Sequence, residues 1–164
     1  MKRILPLSVL AASAVLLSAC GFTPIYGQTG EGAIGSQLSR VAVTTPDDRL
    51  GYRLREQLED AFGRDASLPA QYRLETEVEQ SRLPLGRRID DTATRYQLTL
   101  KAKWTLVPLA GGEAITGERT ATTTYASADQ PYAAIATQQD GEDRAAADLA
   151  RLIRLDLMHA LSRR

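Results

Sequence analysis

Cysteine and histidine are almost absent from this sequence, occurring once each as Cys20 and His159, and neither sign of charge prevails, with 20 Lys and Arg against 20 Asp and Glu. A single cysteine excludes any disulfide within the chain, so the thiol is free for another use. A single histidine leaves hydrolytic or metal-dependent catalysis without the cluster of His, Cys or carboxylates that such chemistry gathers in a pocket. The charge balance turns slightly acidic once Lys2 and Arg3 are set aside, which argues against nucleic acid as a partner. Past Leu17 no apolar run approaches the roughly 20 residues of a spanning helix. The body of the chain therefore reads as one domain outside the bilayer.

What is present starts at the N-terminus. Lys2 and Arg3 precede an apolar core from Ile4 to Leu17, and Leu17-Ser18-Ala19-Cys20-Gly21 closes it. A positive end, an apolar centre and a small-residue exit form the layout of a secretory signal. Ser18 and Ala19 suit the peptidase and the Cys20 thiol accepts lipid, so residues 1–19 read as a cleaved lipoprotein signal peptide. Two acyl chains plus an N-acyl group exceed the two hydrophobic signals that stable anchoring needs. Gly21 is not the Asp that retains such proteins at the inner membrane, which points to the inner leaflet of an outer membrane. Residues 20–36 follow as a lipidated N-terminus and flexible tether, Gly-rich and without period from Gln28 to Ser36. Residues 37–164 are the size of a single α+β domain.

Within that domain, Arg40-Val41-Ala42-Val43-Thr44 is a short β-branched run that predicts a first strand. Thr45-Pro46-Asp47-Asp48 predicts a helix start, with Thr45 as cap, Pro46 at the first helical position and two carboxylates at the positive end of the dipole. Leu50, Leu54, Leu58, Ala61 and Phe62 form the helix's apolar stripe, and Gly63 can end it in a left-handed conformation. Two long strands come next. Tyr72, Leu74, Thr76 and Val78 share one face and Arg73, Glu75, Glu77 and Glu79 the other. Tyr96, Leu98, Leu100, Ala102, Trp104 and Leu106 then alternate with Arg95, Gln97, Thr99, Lys101 and Lys103. Pro108-Leu109-Ala110-Gly111-Gly112 predicts a turn into a fourth strand, Ala114 to Tyr125, buried at Ile115, Ala121, Thr123 and Tyr125 and Thr-rich on its other face. A last helix is predicted from Pro131 to Leu161, about 45 Å long at 1.5 Å per residue, with a possible bend at Gly141. The order β-α-β-β-β-α gives two helices packed on one face of a four-stranded, mainly antiparallel sheet.

The residues after the signal, Cys20-Gly21-Phe22-Thr23-Pro24-Ile25-Tyr26-Gly27, resemble the opening of the mature proteins of the LptE lipopolysaccharide-assembly family, and the order of segments downstream is similar to theirs. The resemblance implies this same fold. It also implies a non-enzymatic lipoprotein that sits as a plug in the lumen of the LptD β-barrel and assists that barrel's folding and disulfide maturation. Such a protein helps deliver lipopolysaccharide to the outer leaflet and needs no cofactor beyond the covalent lipid on Cys20. A lumen is polar, so a plug should expose a hydroxyl-rich, charged shell. A reading from a different class, an auxiliary lipoprotein of a periplasmic lipid or solute ABC-transport system, fits the same lipidated α+β layout.

Candidate site residues are few. Arg82-Leu83-Pro84-Leu85-Gly86-Arg87-Arg88 reads as a basic loop at the tip of a long hairpin. Arg82, Arg87 and Arg88 could hold the phosphates and carboxylates of lipopolysaccharide by bidentate bonds, or they could be solvated charges that oppose aggregation. Lys101 and Lys103 are expected to pair with Glu75, Glu77 and Glu79. Asp90-Asp91 lies between the strands without a His or metal-ligand spacing and reads as a solvated loop. Gly30, Gly32 and Gly35 precede a strand and lack the strand-to-helix context of a phosphate loop. His159 reads as a dipole partner at a helix C-terminus.

Overall fold

In the computed structural model, which describes residues 31–87 and 93–163, the alternating stretches become the two longest strands of a four-stranded sheet. Strand β1 spans Val41–Thr44, β2 Tyr72–Arg87, β3 Ala93–Pro108 and β4 Ile115–Ala126. They lie in the order β1-β2-β3-β4, with β1 parallel to β2 and the other two pairs antiparallel. Helix α1 is Glu31–Leu38, α2 is Arg49–Phe62 and α3 is Pro131–Leu161. A parallel pair needs a crossover, which α2 supplies.

Register puts the apolar positions in rows. Leu74 stands opposite Leu106 and Val78 opposite Ala102, while Leu100 faces Ala121 on β4. These rows meet Leu54 and Leu58 of α2 and Leu149, Ile153 and Leu157 of α3 in one core. The expected α+β layout, two long helices on one face of a mainly antiparallel sheet, is the one observed.

The structure corrects three local expectations. The helix after β1 starts at Arg49, not at Pro46. Asp48 is its cap, accepting a bond from the Gly51 amide at 2.6 Å. Asp48 is extended, at φ −137° and ψ 177°, so residues 45–47 lie outside the helix, and the Pro46 carbonyl packs against Gly51, where a Cβ would meet it at 2.0 Å. Gly63 does end the helix, at φ 61° and ψ 45°.

Second, residues 31–36, expected as tether, belong to α1. Ile34 and Leu38, four apart, pack against the core, and Leu38 is buried. Two apolar side chains on one face are enough for a short helix when tertiary packing supplies the burial.

Third, β2 does not stop near Glu79. Gln80 to Leu85 continue the ladder opposite Arg95 to Leu100, so the hairpin runs on well past Glu75, the last β2 residue paired with β1. Pro84 is tolerated there because β2 is an edge strand once β1 has ended. Cys20, Arg88, Asp90 and Asp91 lie outside the described residues.

Candidate functional site

The sheet face turned away from the helices is a polar platform. Glu77 stands opposite Lys103 and Glu79 opposite Lys101, the alternation of charge expected for these strands. The ion pair that Lys101 makes differs from the expected one with the β2 acids: it runs the other way, to Glu118 on β4 at 3.1 Å. Further along, Thr99 and Thr122 share a hydroxyl contact of 3.5 Å, and Thr116, Thr120 and Thr124 keep the β4 side hydroxylic. β-branched hydroxyl side chains lose little rotamer freedom on contact, so such a face meets another polar surface at small entropic cost.

A second cluster lies on the helix-facing side, toward the β2–β3 turn. Because β2 is extended, Arg82 is a strand residue and not a loop residue. Its guanidinium stacks 4.8 Å above the Tyr96 ring and donates to the Tyr125 hydroxyl at 3.4 Å and to Gln138 at 3.3 Å. Tyr96 and Tyr125 are themselves stacked, with centroids 5.5 Å apart. The bond to Tyr125 favours the charged guanidinium, whose pKa moves up from its ordinary value. Beside this group Glu142 is buried on α3, where Gln138 donates to it at 2.9 Å, Gln80 at 3.2 Å, and Arg49 pairs with it at 3.2 Å. The helix can approach this end because Gly141 sits on Tyr125, where an added Cβ would fall 2.9 Å from Cδ1.

Sequence reasoning missed this network. Gln138 and Glu142 sit four and three residues before Glu142 and Ala145 on the same buried stripe of α3, and a carboxylate in that stripe was the available signal. Of the three arginines grouped by the sequence, Arg82 belongs to the network and Arg87 is the last residue of β2. His159 is exposed near the end of α3. Among the described residues no three of His, Cys, Asp and Glu gather as a metal site.

A third feature is an open cleft of about 820 Å³ between the start of β4 and the last turns of α3, with Trp104 at its base. Arg119 of β4 forms a bidentate pair with Asp156 of α3 across it, Nε to Oδ2 at 2.7 Å, and this pairing raises the pKa of Arg119.

None of these three places brings together a nucleophile and a base. A family model described as lipopolysaccharide-assembly matches residues 38–157, from the end of α1 to the last turns of α3. The chain belongs to the LptE family. LptE proteins are non-enzymatic lipopolysaccharide-assembly lipoproteins associated with the outer membrane. Among solved structures, a Caulobacter crescentus CB15 protein described as a lipoprotein is 43% identical, with a TM-score of 0.69 over 79% of this chain and 96% of that one. The rare lipoprotein B of Shewanella oneidensis is 15% identical, with a TM-score of 0.47 over 74% of this chain and 92% of its own. A minor lipoprotein of Acinetobacter baumannii is 17% identical, with a TM-score of 0.48 over 73% and 94%. No curated protein matches. Among the described residues of this LptE-family chain, no helix is long and apolar enough to cross a membrane.

Proposed function

We propose that this LptE-family protein is a plug and assembly factor for the LptD β-barrel, tethered to the inner leaflet of the outer membrane by acyl chains on Cys20. The observation that carries this reading is the sheet face that no described helix covers, where hydroxyls and alternating charges spread over three strands above an aliphatic core. A barrel lumen is polar, so the partner for such a face is another polar wall, and an apolar plug would be excluded from it. The acyl anchor holds the domain at the periplasmic mouth while the barrel closes around it. Coexpression with a tagged LptD tests this directly: a stable one-to-one complex is expected, and its absence where the barrel itself folds overturns the reading. Replacing Cys20 by Ser should release the protein from the outer-membrane fraction.

The same reading assigns lipopolysaccharide contact to Arg82 and Arg87 of β2 and to Arg88, which follows them in the sequence. The Tyr96 and Tyr125 rings under Arg82 support it, because a guanidinium fixed on an aromatic face keeps donors free for phosphate without a further loss of side-chain freedom. Changing all three arginines to Glu should weaken lipopolysaccharide binding and raise outer-membrane permeability. Unchanged binding would return this end of the hairpin to a solvated surface.

A further inference from the structure

Arg82 meets its hydrogen-bond partners through a single nitrogen. Nη1 carries two N–H groups and both are engaged, one on the Tyr125 hydroxyl and one on Oε1 of Gln138. With the guanidinium stacked on Tyr96, these two bonds fix the plane of the group and the direction of its free edge. That edge is formed by Nε and Nη2, which make no bond among the described residues. Side-on, its N–H groups run parallel at the spacing of two phosphate oxygens.

What aims Gln138 at Arg82 is Glu142. A glutamine amide has a donor end and an acceptor end, either of which can face the arginine, whereas the Glu142 carboxylate only accepts. It lies one turn further along α3, 7% exposed, and takes Nε2 of Gln138 at 2.9 Å, which leaves the carbonyl end of the amide to face Arg82 at 3.3 Å. Glu142 is itself held from α2 and β2, by Arg49 on Oε2 and by Gln80 on Oε1, both at 3.2 Å. The chain of bonds therefore has one sense, from Arg82 through Gln138 to the buried charge. Turned round, the Gln138 amide would set its NH2 against the guanidinium, donor against donor.

We propose that Glu142 and Gln138 are positioning residues for Arg82: by fixing the sense of this chain they hold its Nε–Nη2 edge ready for one phosphate of the ligand. This role rests on the reading of Arg82 as a lipopolysaccharide contact, and adds to it two residues that act through Arg82 alone. A carboxylate is costly to bury even when paired. Here it sets the direction of a cation at the surface, so that the freedom of a long side chain is lost on folding and not on binding.

Glu142→Gln keeps the size of the side chain and removes the charge, so the Gln138 amide is free to invert. Without ligand, the Arg82 Nε–H resonance, displaced in the parent by the Tyr96 ring, should then move toward that of a solvated arginine. Gln138→Met, which leaves Glu142 with Arg49 and Gln80, should move it the same way. Adding Gln138→Glu to Glu142→Gln supplies an acceptor whichever way it turns and should return the resonance toward its parent position. The affinity of the full chain for lipopolysaccharide should fall about tenfold in Glu142→Gln, as expected when a charged donor pair loses its fixed direction. The same substitution should change nothing in an Arg82→Ala background, or toward lipopolysaccharide stripped of its phosphates. Arg82→Ala binding as tightly as the parent removes the lipopolysaccharide reading itself. If Arg82→Ala weakens binding but Glu142→Gln does not, or weakens it equally in both backgrounds, the positioning role is overturned and the contact stands. An Arg82 resonance indifferent to both Glu142→Gln and Gln138→Met overturns that role as well.

Discussion

Gly117 lies flat against the indole of Trp104: a Cβ at that position would fall 2.3 Å from Cζ2 of the ring. Neither atom set can retreat far, because Trp104 is enclosed by the core and Gly117 is fixed in the β3–β4 ladder. Gly117→Ala should therefore destabilise the protein by about 1–3 kcal/mol through overpacking. Gly35→Ala is the control. Nothing lies within 4 Å of a Cβ there and the residue is helical, so thermal denaturation should show a gain of roughly 0.5–1 kcal/mol.

The start of α2 offers a graded pair. Asp48→Ala removes one cap bond and should cost about 1 kcal/mol. Gly51→Ala drives a methyl into the Pro46 carbonyl, which is backbone and cannot rotate away, so the helix must shift. Its cost should exceed that of Asp48→Ala, at roughly 2–3 kcal/mol on the overpacking scale. Chemical denaturation of the two variants gives the order, and the reverse order would refute the close approach of Pro46.

Glu142 is buried, and its charge is answered by Arg49 together with the amides of Gln80 and Gln138. Arg49→Ala strands that carboxylate and should cost about 1–3 kcal/mol, since an unpaired buried charge loses hydration without compensation. In a Glu142→Gln background the same Arg49→Ala change should cost much less. A double-mutant cycle measures the difference as a coupling energy, and additive costs would show that the two residues act separately.

Asp65 supplies the pH dependence. The amide and hydroxyl of Ser67 donate to its carboxylate at 2.9 and 2.6 Å, and the hydroxyl bond is the larger cause of its lowered pKa. A carboxyl held lower in the folded chain than in the unfolded one stabilises the fold above the unfolded pKa, and that contribution is lost as pH falls through the folded value. Asp65→Asn should thus be less stable than the parent at neutral pH and should converge with it in strong acid. Denaturation curves across that range test the convergence.

The legible parts of this protein were those written in short-range patterns. Tyr72 to Val78 and Tyr96 to Leu106 announced their strands because a half-buried strand must alternate, and Pro131 and Leu161 bounded α3 as anticipated because its stripe keeps helical spacing between them. The start of α2 was misplaced by three residues. Thr45-Pro46 is a competent helix opening in isolation, but Asp48 is a competing cap three residues on, and its bond to the Gly51 amide is the one that forms. Arg82 was likewise assigned to a loop because Pro84 and Gly86 signal a turn. Pairing with β3 overrode that signal on a strand already free of β1.

Composition and periodicity alone settled the α+β class, the face of each strand that goes inside and the poverty of catalytic groups, since each depends on residue types and spacings along the chain. Tertiary structure alone decided that Arg82 rests on Tyr96 and Tyr125, that Glu142 is buried among its partners, and that Gly117 opens a groove onto Trp104. Those relationships join residues on different strands and helices, and no local periodicity encodes which strand register or helix approach brings them together.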